Sequence, residues 1–594
     1  MDVVSLDPYL HVRTAKNPEY APGGNKLRFI ADYTGVPQVW ELNRGEGWPA
    51  QVSFTQDRIT LIKYVTGTSN VIIGMDINGN ENEQLHLLKK DNKLIALTNS
   101  PEHIHRYGGS SPDGKWIAWS SNRRHPAYFD LYIQNLETLE IRLAYSENGL
   151  FSSLNWAPAG NSLLIEKINT PLDNDLGILD LSTGSVDWIT NHSGEASFID
   201  AQFNKDGTHL YLLSNKDREF FGLACINLKT KHFDWMELGE WDYENLEMSH
   251  DKEKLAYTIN EGGISKGIIL DLNTSELYSW KTPVGVISKM KFSPDNQKLA
   301  YEFNGPAYPP EIWELDLKTI QAERLTYVSR SPVLKDKLIE PEIITFRSFD
   351  KLQIPAFYYQ PKNITKKLPV VLYIHGGPES QSRAVYNSIQ QYLLNQGFAV
   401  CAPNVRGSTG YGKTYTHLDD VQKRIDAVTD LVYLVKWLKT NRNIDSERVT
   451  LMGGSYGGFM VLAAISHFPQ YWSAAIDIVG MSSLRTFLET TSPWRKKQRE
   501  AEYGTIERDG KFFDRIDPLN HADRITCPLM VLHGENDPRV HIRESEQIVT
   551  KLKNRNHQVE FIRFEDEGHK FGKLKNKSTA YKEMVQFLIR HIGE

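Results

Sequence analysis

The chain has 594 residues, of which 40% are hydrophobic and 24% charged, and its net charge is −6. Because this length exceeds what one hydrophobic core usually serves, we expect two or more domains. The mild acidity and the lack of a long basic run argue against a nucleic-acid-binding protein and against a membrane-surface partner.

The three cysteines, Cys225, Cys401 and Cys527, lie far apart in the sequence. Their number and spacing match neither a disulfide framework nor a metal site. No apolar run is long enough for a transmembrane helix. We therefore predict a cytoplasmic protein that uses no metal and no cofactor. The compact basic cluster at residues 495–499 is interpreted as a solvated helix face.

A weak repeat occupies residues 17 to about 330. Its clearest marker is a turn such as Ser111–Lys115, followed by the alternating run Trp116–Ser120, and successive turns begin 44 to 47 residues apart. Such a period, with several short strands per unit, is typical of a β-propeller with one four-stranded blade per unit. We predict seven blades, the second of which, around residues 66–74, is inferred from spacing alone. A β-sandwich array and a β-helix are the alternatives.

The pattern changes near residue 335, where strand and helix signals begin to alternate. This indicates a doubly wound, mainly parallel sheet covered by helices, as in an α/β-hydrolase. The predicted domains are therefore a β-propeller at 1–335, with a short N-terminal extension, and a catalytic α/β-hydrolase domain at 336–594. Strands are expected at 369–374, 398–402, 448–452, 474–479, 529–532 and 559–564, and helices at 385–396, 420–438 and 579–592.

The stretch Val449–Gly458 contains Gly-x-Ser-x-Gly with Ser455 at its centre. An apolar strand-like run precedes it and an apolar helical pattern follows at once. Strand, sharp turn and helix are the context of a nucleophile elbow. An ordinary tight turn is a fair alternative for the motif alone, so the interpretation depends on partners later in the chain.

An α/β-hydrolase needs an acid after one later strand and a histidine after the next, in the order Ser, Asp, His. Asp537 follows the strand predicted at 529–532, and His569 follows the one at 559–564. We predict that His569 is the base for Ser455 and that Asp537 orients the imidazole. Glu535 and Asp566 are interpreted as surface carboxylates of the same loops.

The tetrahedral oxyanion needs two hydrogen-bond donors that are already in place. One is predicted to be the backbone N–H of Tyr456, the residue after the nucleophile. The other is predicted to be the N–H of Gly377, in the loop His375–Pro378 directly after a strand. His375 is interpreted as a structural residue of that loop.

A seven-bladed propeller followed by this hydrolase resembles the prolyl oligopeptidase family of serine peptidases, and most of all its acylaminoacyl-peptidase branch. The resemblance covers essentially the whole chain. Its specific marks are His375–Pro378, Asn404–Gly412, Gly453–Gly458, Glu502–Gly504, His533–Asp537 and Glu567–His569.

The resemblance implies a propeller that caps the active site and restricts it to short peptides. It also implies that Arg539, two residues after Asp537, holds a substrate carbonyl, with a surface charge as the alternative. The segment 480–488 and Trp494 are expected to line the pocket for the residue whose carbonyl is attacked. Phe487, Leu488, Trp494 and Val540 would make that pocket apolar.

Dipeptidyl-peptidase relatives bind a free amino terminus with two adjacent acidic residues of the propeller. No two acidic residues are adjacent in residues 1–336. The chain is therefore expected to release N-acylated amino acids from short peptides, although acids distant in sequence could meet in the fold. A carboxylesterase, an oligopeptidase or dipeptidyl peptidase with other end-specificity, and a non-enzymatic scaffold are the alternatives. A dimer or tetramer is plausible.

Overall fold

The computed structural model describes residues 5–593 except 44, 46, 329–333, 335, 336 and 363. The boundary predicted between residues 335 and 336 lies outside these described residues. The described chain begins with one short helical turn, α1 (Asp7–Leu10), and then forms a β-rich part followed by an α/β part.

The β-rich part consists of consecutive groups of four antiparallel strands. Five groups form separate sheets, and two neighbouring groups form one eight-stranded sheet, because Phe129 pairs with Leu150 in parallel. In chain order the groups are β1 (Ala15–Tyr20), β2 (Lys26–Ala31), β3 (Gln38–Asn43) and β4 (Ala50–Gln51); β5 (Ile59–Tyr64), β6 (Val71–Met75), β7 (Gln84–Leu88) and β8 (Leu94–Ala96); β9 (His105–Ser110), β10 (Trp116–His125), β11 (Tyr128–Asn135) and β12 (Ile141–Tyr145); β13 (Leu150–Trp156), β14 (Ser162–Thr170), β15 (Asp173–Asp180) and β16 (Val186–Trp188); β17 (Phe198–Phe203), β18 (His209–Ser214), β19 (Gly222–Asn227) and β20 (Phe233–Glu237); β21 (Asp242–Met248), β22 (Lys254–Glu261), β23 (Ile264–Asp271) and β24 (Leu277–Trp280); β25 (Val286–Phe292), β26 (Lys298–Gly305), β27 (Tyr308–Asp316) and β28 (Gln321–Arg324).

The recurring turn connects the first strand of a group to the second. In the turn after β9, the Ser111 hydroxyl donates to Asp113, and Gly114 takes a left-handed φ of 69°. An added Cβ at Gly114 would lie 2.4 Å from the carbonyl oxygen of Thr66 in the neighbouring group. Glycine is therefore required both by the turn and by the packing of adjacent groups.

The first and last groups of the β-rich part contact each other. Strand β1 packs against β25, β26 and β27. The buried hydroxyl of Tyr20 donates to Glu314 Oε2 at 2.6 Å, across 294 residues of sequence. This contact brings the two ends of the β-rich part together.

The α/β part is built on one eight-stranded sheet with the order β29-β30-β32-β31-β33-β34-β35-β36. Its strands are β29 (Glu342–Arg347), β30 (Gln353–Tyr359), β31 (Leu368–Ile374), β32 (Ala399–Pro403), β33 (Ile444–Gly454), β34 (Ala474–Ile478), β35 (Leu529–Gly534) and β36 (Val559–Phe564). The pairings of β29 with β30 and of β30 with β32 are antiparallel, and the rest are parallel. The mainly parallel sheet predicted from the sequence is confirmed.

Helices cover both faces of this sheet. They are α2 (Ser388–Asn395), α3 (Lys413–Thr416), α4 (Arg424–Asn441), α5 (Tyr456–His467), α6 (Leu484–Thr490), α7 (Pro493–Tyr503), α8 (Ile506–Ile516), α9 (Arg543–Lys553) and α10 (Leu574–Ile592), with 3₁₀ turns at 417–419, 421–423, 469–471 and 518–524. The predicted helix at 385–396 begins only at residue 388, because the Asn387 side chain caps it there. No helix of the described residues is long and apolar enough to cross a bilayer.

The N-terminal turn α1 packs on the α/β part. Leu6, Tyr9 and Leu10 belong to the same buried cluster as residues of α2 and α10. Tyr9 and Tyr392 meet edge to face, with ring centroids 5.5 Å apart. The segment that precedes β1 therefore packs on the side of the α/β sheet that carries α2 and α10, and this contact stabilises the α/β part.

Candidate active site

Ser455 lies at the junction between β33 and α5 with φ 58° and ψ −121°. Such a backbone is costly for a residue with a side chain and persists only where the surroundings enforce it. An added Cβ at Gly453 would lie 2.4 Å from Gly457 O, and one at Gly457 would lie 2.3 Å from Ile374 O. The two flanking glycines are therefore what allows the sharp turn at Ser455, directly before the N-terminus of α5.

The imidazole of His569 is paired with the carboxylate of Asp537. Nδ1 of His569 lies 2.6 Å from Asp537 Oδ2, and both side chains are buried. Asp537 follows the end of β35 and His569 follows the end of β36. The carboxyl ends of neighbouring parallel strands thus bring together an acid and a histidine that are 32 residues apart.

Asp537 is held in its ionised form. Burial raises the pKa of its carboxyl, but hydrogen bonds from His533 and His569 outweigh burial and hold the pKa well below its usual value. The other oxygen, Oδ1, accepts the backbone N–H groups of Arg539 and Val540 at 2.8 and 3.0 Å. His533, which the sequence reasoning did not single out, is a buried partner of this carboxylate.

The loop after β31 passes directly beside the elbow. An added Cβ at Gly376 would lie 3.0 Å from Gly454 O and 3.3 Å from Ser455 Cβ. The following residue, Gly377, has a φ of 144°. Within the described residues no hydrogen bond joins Ser455 Oγ to His569; in ligand-free enzymes such contacts often tighten only when substrate binds.

His375 joins the loop after β31 to the segment after β32. Its Nε2 lies 2.9 Å from Ser408 Oγ, and its Nδ1 lies 2.9 Å from Gly376 O. Burial lowers the pKa of His375, because the charged form is poorly solvated there. These contacts suit a residue that shapes the loop.

The side chain of Tyr456 anchors the first turn of α5 to a fully buried ionic cluster. Its hydroxyl donates to Asp419 Oδ2 at 2.8 Å, and Arg424 donates to the same hydroxyl at 3.1 Å. Arg424 also pairs with Asp419 and with Glu502. Carboxylate oxygens of Asp419, Asp420 and Glu502 lie within 4.8 Å of one another, as metal ligands would, but the Arg424 guanidinium already donates to two of them.

The predicted pocket residues divide into two sets. Phe487, Leu488 and Val540 are buried in the hydrophobic core of the α/β part. Trp494 and Arg539 instead line a cavity of about 400 Å³ between the two parts of the chain. Nε of Arg539 donates to both carboxylate oxygens of Glu81, at 2.8 and 2.9 Å.

Two arginines of the basic cluster at 495–499 also line this cavity, together with Glu81, Glu83 and Arg106 from the β-rich part. The interpretation of the cluster as a solvated helix face is wrong for Arg495 and Arg499, although Lys497 is exposed. The two arginines are four residues apart and so lie on one face of α7. This spacing is the sequence signal that could have indicated that both line one cavity.

We compared the chain with a protein-family model, with known relatives and with solved structures. The model of the prolyl oligopeptidase family matches residues 384–594. Dipeptidyl aminopeptidase BIII of Pseudoxanthomonas mexicana is 36% identical over 38% of this chain and 34% of its own length, and the acylamino-acid-releasing enzyme of Sus scrofa is 26% identical over 41% and 34%. The matches thus span about a third of these relatives. The structure of a puromycin-hydrolyzing peptidase of Mycobacterium tuberculosis covers 99% of this chain and 96% of its own, with a TM-score of 0.88 at 20% identity.

Proposed function

We propose that this chain is a serine peptidase that hydrolyses short peptides through an acyl-enzyme. The match of residues 384–594 to the model of the prolyl oligopeptidase family supports this. The observation that carries the proposal is the preformed Asp537–His569 pair at the sheet edge where the strained Ser455 elbow ends β33. The names of the relatives, which are peptidases of several specificities, agree with it.

In the proposed mechanism, His569 takes the hydroxyl proton of Ser455 as Oγ bonds to the substrate carbonyl carbon. The C–N bond then breaks, and His569 gives the same proton to the leaving amine. Water repeats the sequence on the acyl-enzyme and releases the acid. Asp537 keeps the imidazole in the required tautomer and stabilises its cationic form.

The negative charge on the carbonyl oxygen is assigned to two backbone donors, the N–H groups of Tyr456 and Gly377. Support comes from the close approach of the loop after β31 to the elbow and from the position of Tyr456 in the first turn of α5. Losing one such donor typically costs about 3 kcal/mol of transition-state stabilisation.

We assign N-acylated short peptides as the preferred substrates. The cavity beside Asp537 is lined by four arginines and two glutamates, and one of these glutamates, Glu81, is engaged by Arg539. This excess of positive charge disfavours a free α-ammonium group. Release of dipeptides is the second candidate, because Glu81 and Glu83 line one cavity without being adjacent in sequence, and a dipeptidyl aminopeptidase is among the relatives.

For the β-rich part we propose a propeller of seven blades, one for each group of four strands, in a domain at 1–335 that caps the catalytic domain at 336–594. The contact of β1 with β25–β27 supports ring closure. The role of Phe487, Leu488, Trp494 and Val540 in substrate binding, the cytoplasmic location and a dimer or tetramer stay predictions.

The function is tested by comparing matched chromogenic substrates: an acetyl-amino-acid anilide, a dipeptide anilide with a free amino terminus, and a simple aryl ester. We expect the acetylated anilide to be cleaved best. Preference for the free dipeptide supports the second candidate, and hydrolysis of the ester alone contradicts a peptidase.

A fluorophosphonate probe tests the nucleophile in the same preparations. We expect labelling of the wild type and none of Ser455→Ala. Ser446→Ala is the matched control, because Ser446 lies near the opposite end of β33 and its hydroxyl donates to the exposed Glu447. Labelling of Ser455→Ala at wild-type rate would remove Ser455 from the mechanism.

A further inference from the structure

We propose that the cavity between the two parts of the chain binds a carboxylate group of the substrate peptide, supplied by an Asp or Glu side chain or by a free C-terminus. The proposal rests on the peptidase function and adds a substrate class to it. Its basis is an arginine-lined cavity beside the proposed catalytic residues. Within the described residues, two of its guanidinium groups form no salt bridge.

The cavity lies next to the proposed catalytic residues. Pro538 and Arg539, which line it, follow Asp537 directly. The loop that carries Asn80 and Glu81 also touches the histidine loop, since an added Cβ at Gly568 would lie 2.3 Å from Gly79 O. A peptide whose carbonyl reaches Ser455 therefore has other residues within reach of this cavity. A volume of about 400 Å³ accommodates an amino-acid side chain or chain end.

Arg106 and Arg495 both lie against the ring of Trp494. Their guanidinium carbons lie 5.0 and 5.6 Å from the centre of the Trp494 ring, and Arg106 also lies 4.5 Å from the ring centre of Phe129. In the part of the chain that the structure describes, neither side chain forms a salt bridge or donates a hydrogen bond. Aromatic contacts hold both groups in place while their N–H donors stay available for an anion.

The glutamates of the cavity do not neutralise these arginines. Glu81 is engaged through both oxygens by Arg539. Glu83 accepts a hydrogen bond from Thr60, and burial raises the pKa of its carboxyl, which favours the neutral form. Arg499 has Glu379 as its partner, at 3.4 Å. Glu166, behind the cavity lining, favours the charged form of Arg106, but burial raises the pKa of its carboxyl as well. The balance of charge among the lining residues is therefore positive.

The electrostatics at Arg495 agree with this arrangement. Burial, and then the charges of Arg499 and Arg539, lower its pKa to about 10. Crowded cations in a poorly solvated space are stabilised by an incoming anion. A substrate carboxylate can accept hydrogen bonds from the free N–H groups and relieve this repulsion.

The test uses acetylated, internally quenched peptides in matched pairs. In one series a single Glu replaces Gln at successive positions, and in the other a free C-terminus replaces the amide. We expect kcat/KM to favour the charged member of at least one pair by roughly tenfold. Preference in the first series identifies a side-chain carboxylate, and preference in the second identifies the chain end.

The variants Arg106→Gln and Arg495→Gln should each bring the charged-to-neutral ratio close to one. Arg495→Lys, which keeps the positive charge, should retain part of the preference for the charged peptide. Lys497→Gln is the matched control on the exposed face of α7 and should leave the ratio unchanged. A wild-type ratio within twofold of one for every pair, or a ratio that survives in the Arg106→Gln/Arg495→Gln double variant, overturns the proposal.

Calorimetric binding of the same peptide pairs to Ser455→Ala separates this proposal from the peptidase function. If wild type cleaves no peptide but Ser455→Ala binds the charged members more tightly, the cavity assignment stands and the peptidase proposal fails. If wild type cleaves neutral and charged peptides equally, the peptidase proposal stands and the cavity assignment fails. Absence of both cleavage and preferential binding overturns both.

Discussion

The glycines around the nucleophile differ in how closely neighbouring backbone approaches them. Gly457 has backbone oxygens of Ile374 and His375 within 2.3 and 2.8 Å of an added Cβ, whereas at Gly454 the nearest atom lies 3.6 Å away. Two glycines of one motif therefore differ in what they tolerate, because only Gly457 lies against the end of β31 and the start of the loop that follows it.

This difference gives the first prediction. Gly457→Ala should destabilise the protein by about 3 kcal/mol, since a backbone must move to admit the methyl group. Gly454→Ala should change stability by less than about 1 kcal/mol. Urea denaturation of both variants measures the difference, and equal midpoints would contradict the described contact.

Asp537 provides the second prediction. Asp537→Asn keeps the shape but removes the charge that orients His569, so kcat should fall roughly 10³- to 10⁴-fold. Glu535→Gln is the control, because Glu535 sits in the same loop and pairs with exposed Arg563. Steady-state kinetics on the acetylated anilide give the comparison, and a similar loss in both variants would contradict the assigned role.

The low pKa of Asp537 also determines the direction in which its contribution to stability changes with pH. A carboxyl whose pKa is lower in the folded than in the unfolded state stabilises the fold above the unfolded value, about 3.9. That contribution disappears as the pH falls through the pKa that Asp537 has in the folded protein. Asp537→Asn should therefore lose stability at neutral pH and converge with wild type in strong acid, as thermal unfolding would show.

At the scale of elements, the buried cluster of Asp419, Arg424 and Glu502 joins the start of α4, the start of α5 and the end of α7. Burial raises the pKa of Asp419 to about 6 and that of Glu502 to about 8, against the opposing effect of Arg424. Two carboxyls share one guanidinium, so the cluster favours a retained proton.

The third prediction follows from this cluster. Because the folded pKa of Glu502 is raised, its stabilising contribution is complete below the unfolded value, about 4.3, and is lost as pH rises through about 8. Glu502→Gln, which mimics the protonated form, should raise the melting temperature at pH 8 relative to wild type. Glu500→Gln on the same helix is the control, and the same rise in both variants would exclude the cluster as its cause.

Some elements could be predicted from the sequence because they depend on local chemistry. The recurring turns between the first and second strands of the groups depend on spacing along the chain. The elbow at Ser455 and the positions of Asp537 and His569 after their strands depend on it as well. The cavity could not be predicted, because Arg106 and Arg495, 389 positions apart, reach the same Trp494 ring only through packing of the two parts. The burial of Phe487 and Val540 likewise depends on neighbours that no local pattern specifies.

At the scale of the whole molecule, charged contacts join the β-rich part to the α/β part. His417 lies between Asp420 of its own part and Glu195 of the other, at 2.7 and 2.9 Å. The hydrogen bonds to Asp420 and then Glu195 raise the pKa of His417 to about 10. Lys413 and Thr414 contact the same side of the β-rich part.

The fourth prediction concerns this contact. Because the folded pKa of His417 is raised, the charged pair supports the fold fully below the unfolded value, about 6.5, and weakens as pH rises through about 10. His417→Gln should increase amide exchange at residues 190–196 already at pH 7. His521→Gln, far from this contact and bonded to Arg515 O, is the control. Unchanged exchange in His417→Gln would contradict a joining role.

The most direct test of the central claim is a kinetic comparison of Ser455→Ala, His569→Ala and the double variant on one acetylated peptide substrate. If the two side chains act in one proton transfer, each single loss removes nearly all of their joint effect. We predict that the double variant is no slower than either single variant within a few-fold. The account would be contradicted if the loss in the double variant equalled the product of the two single losses. It would also be contradicted if Ser455→Ala kept the wild-type kcat.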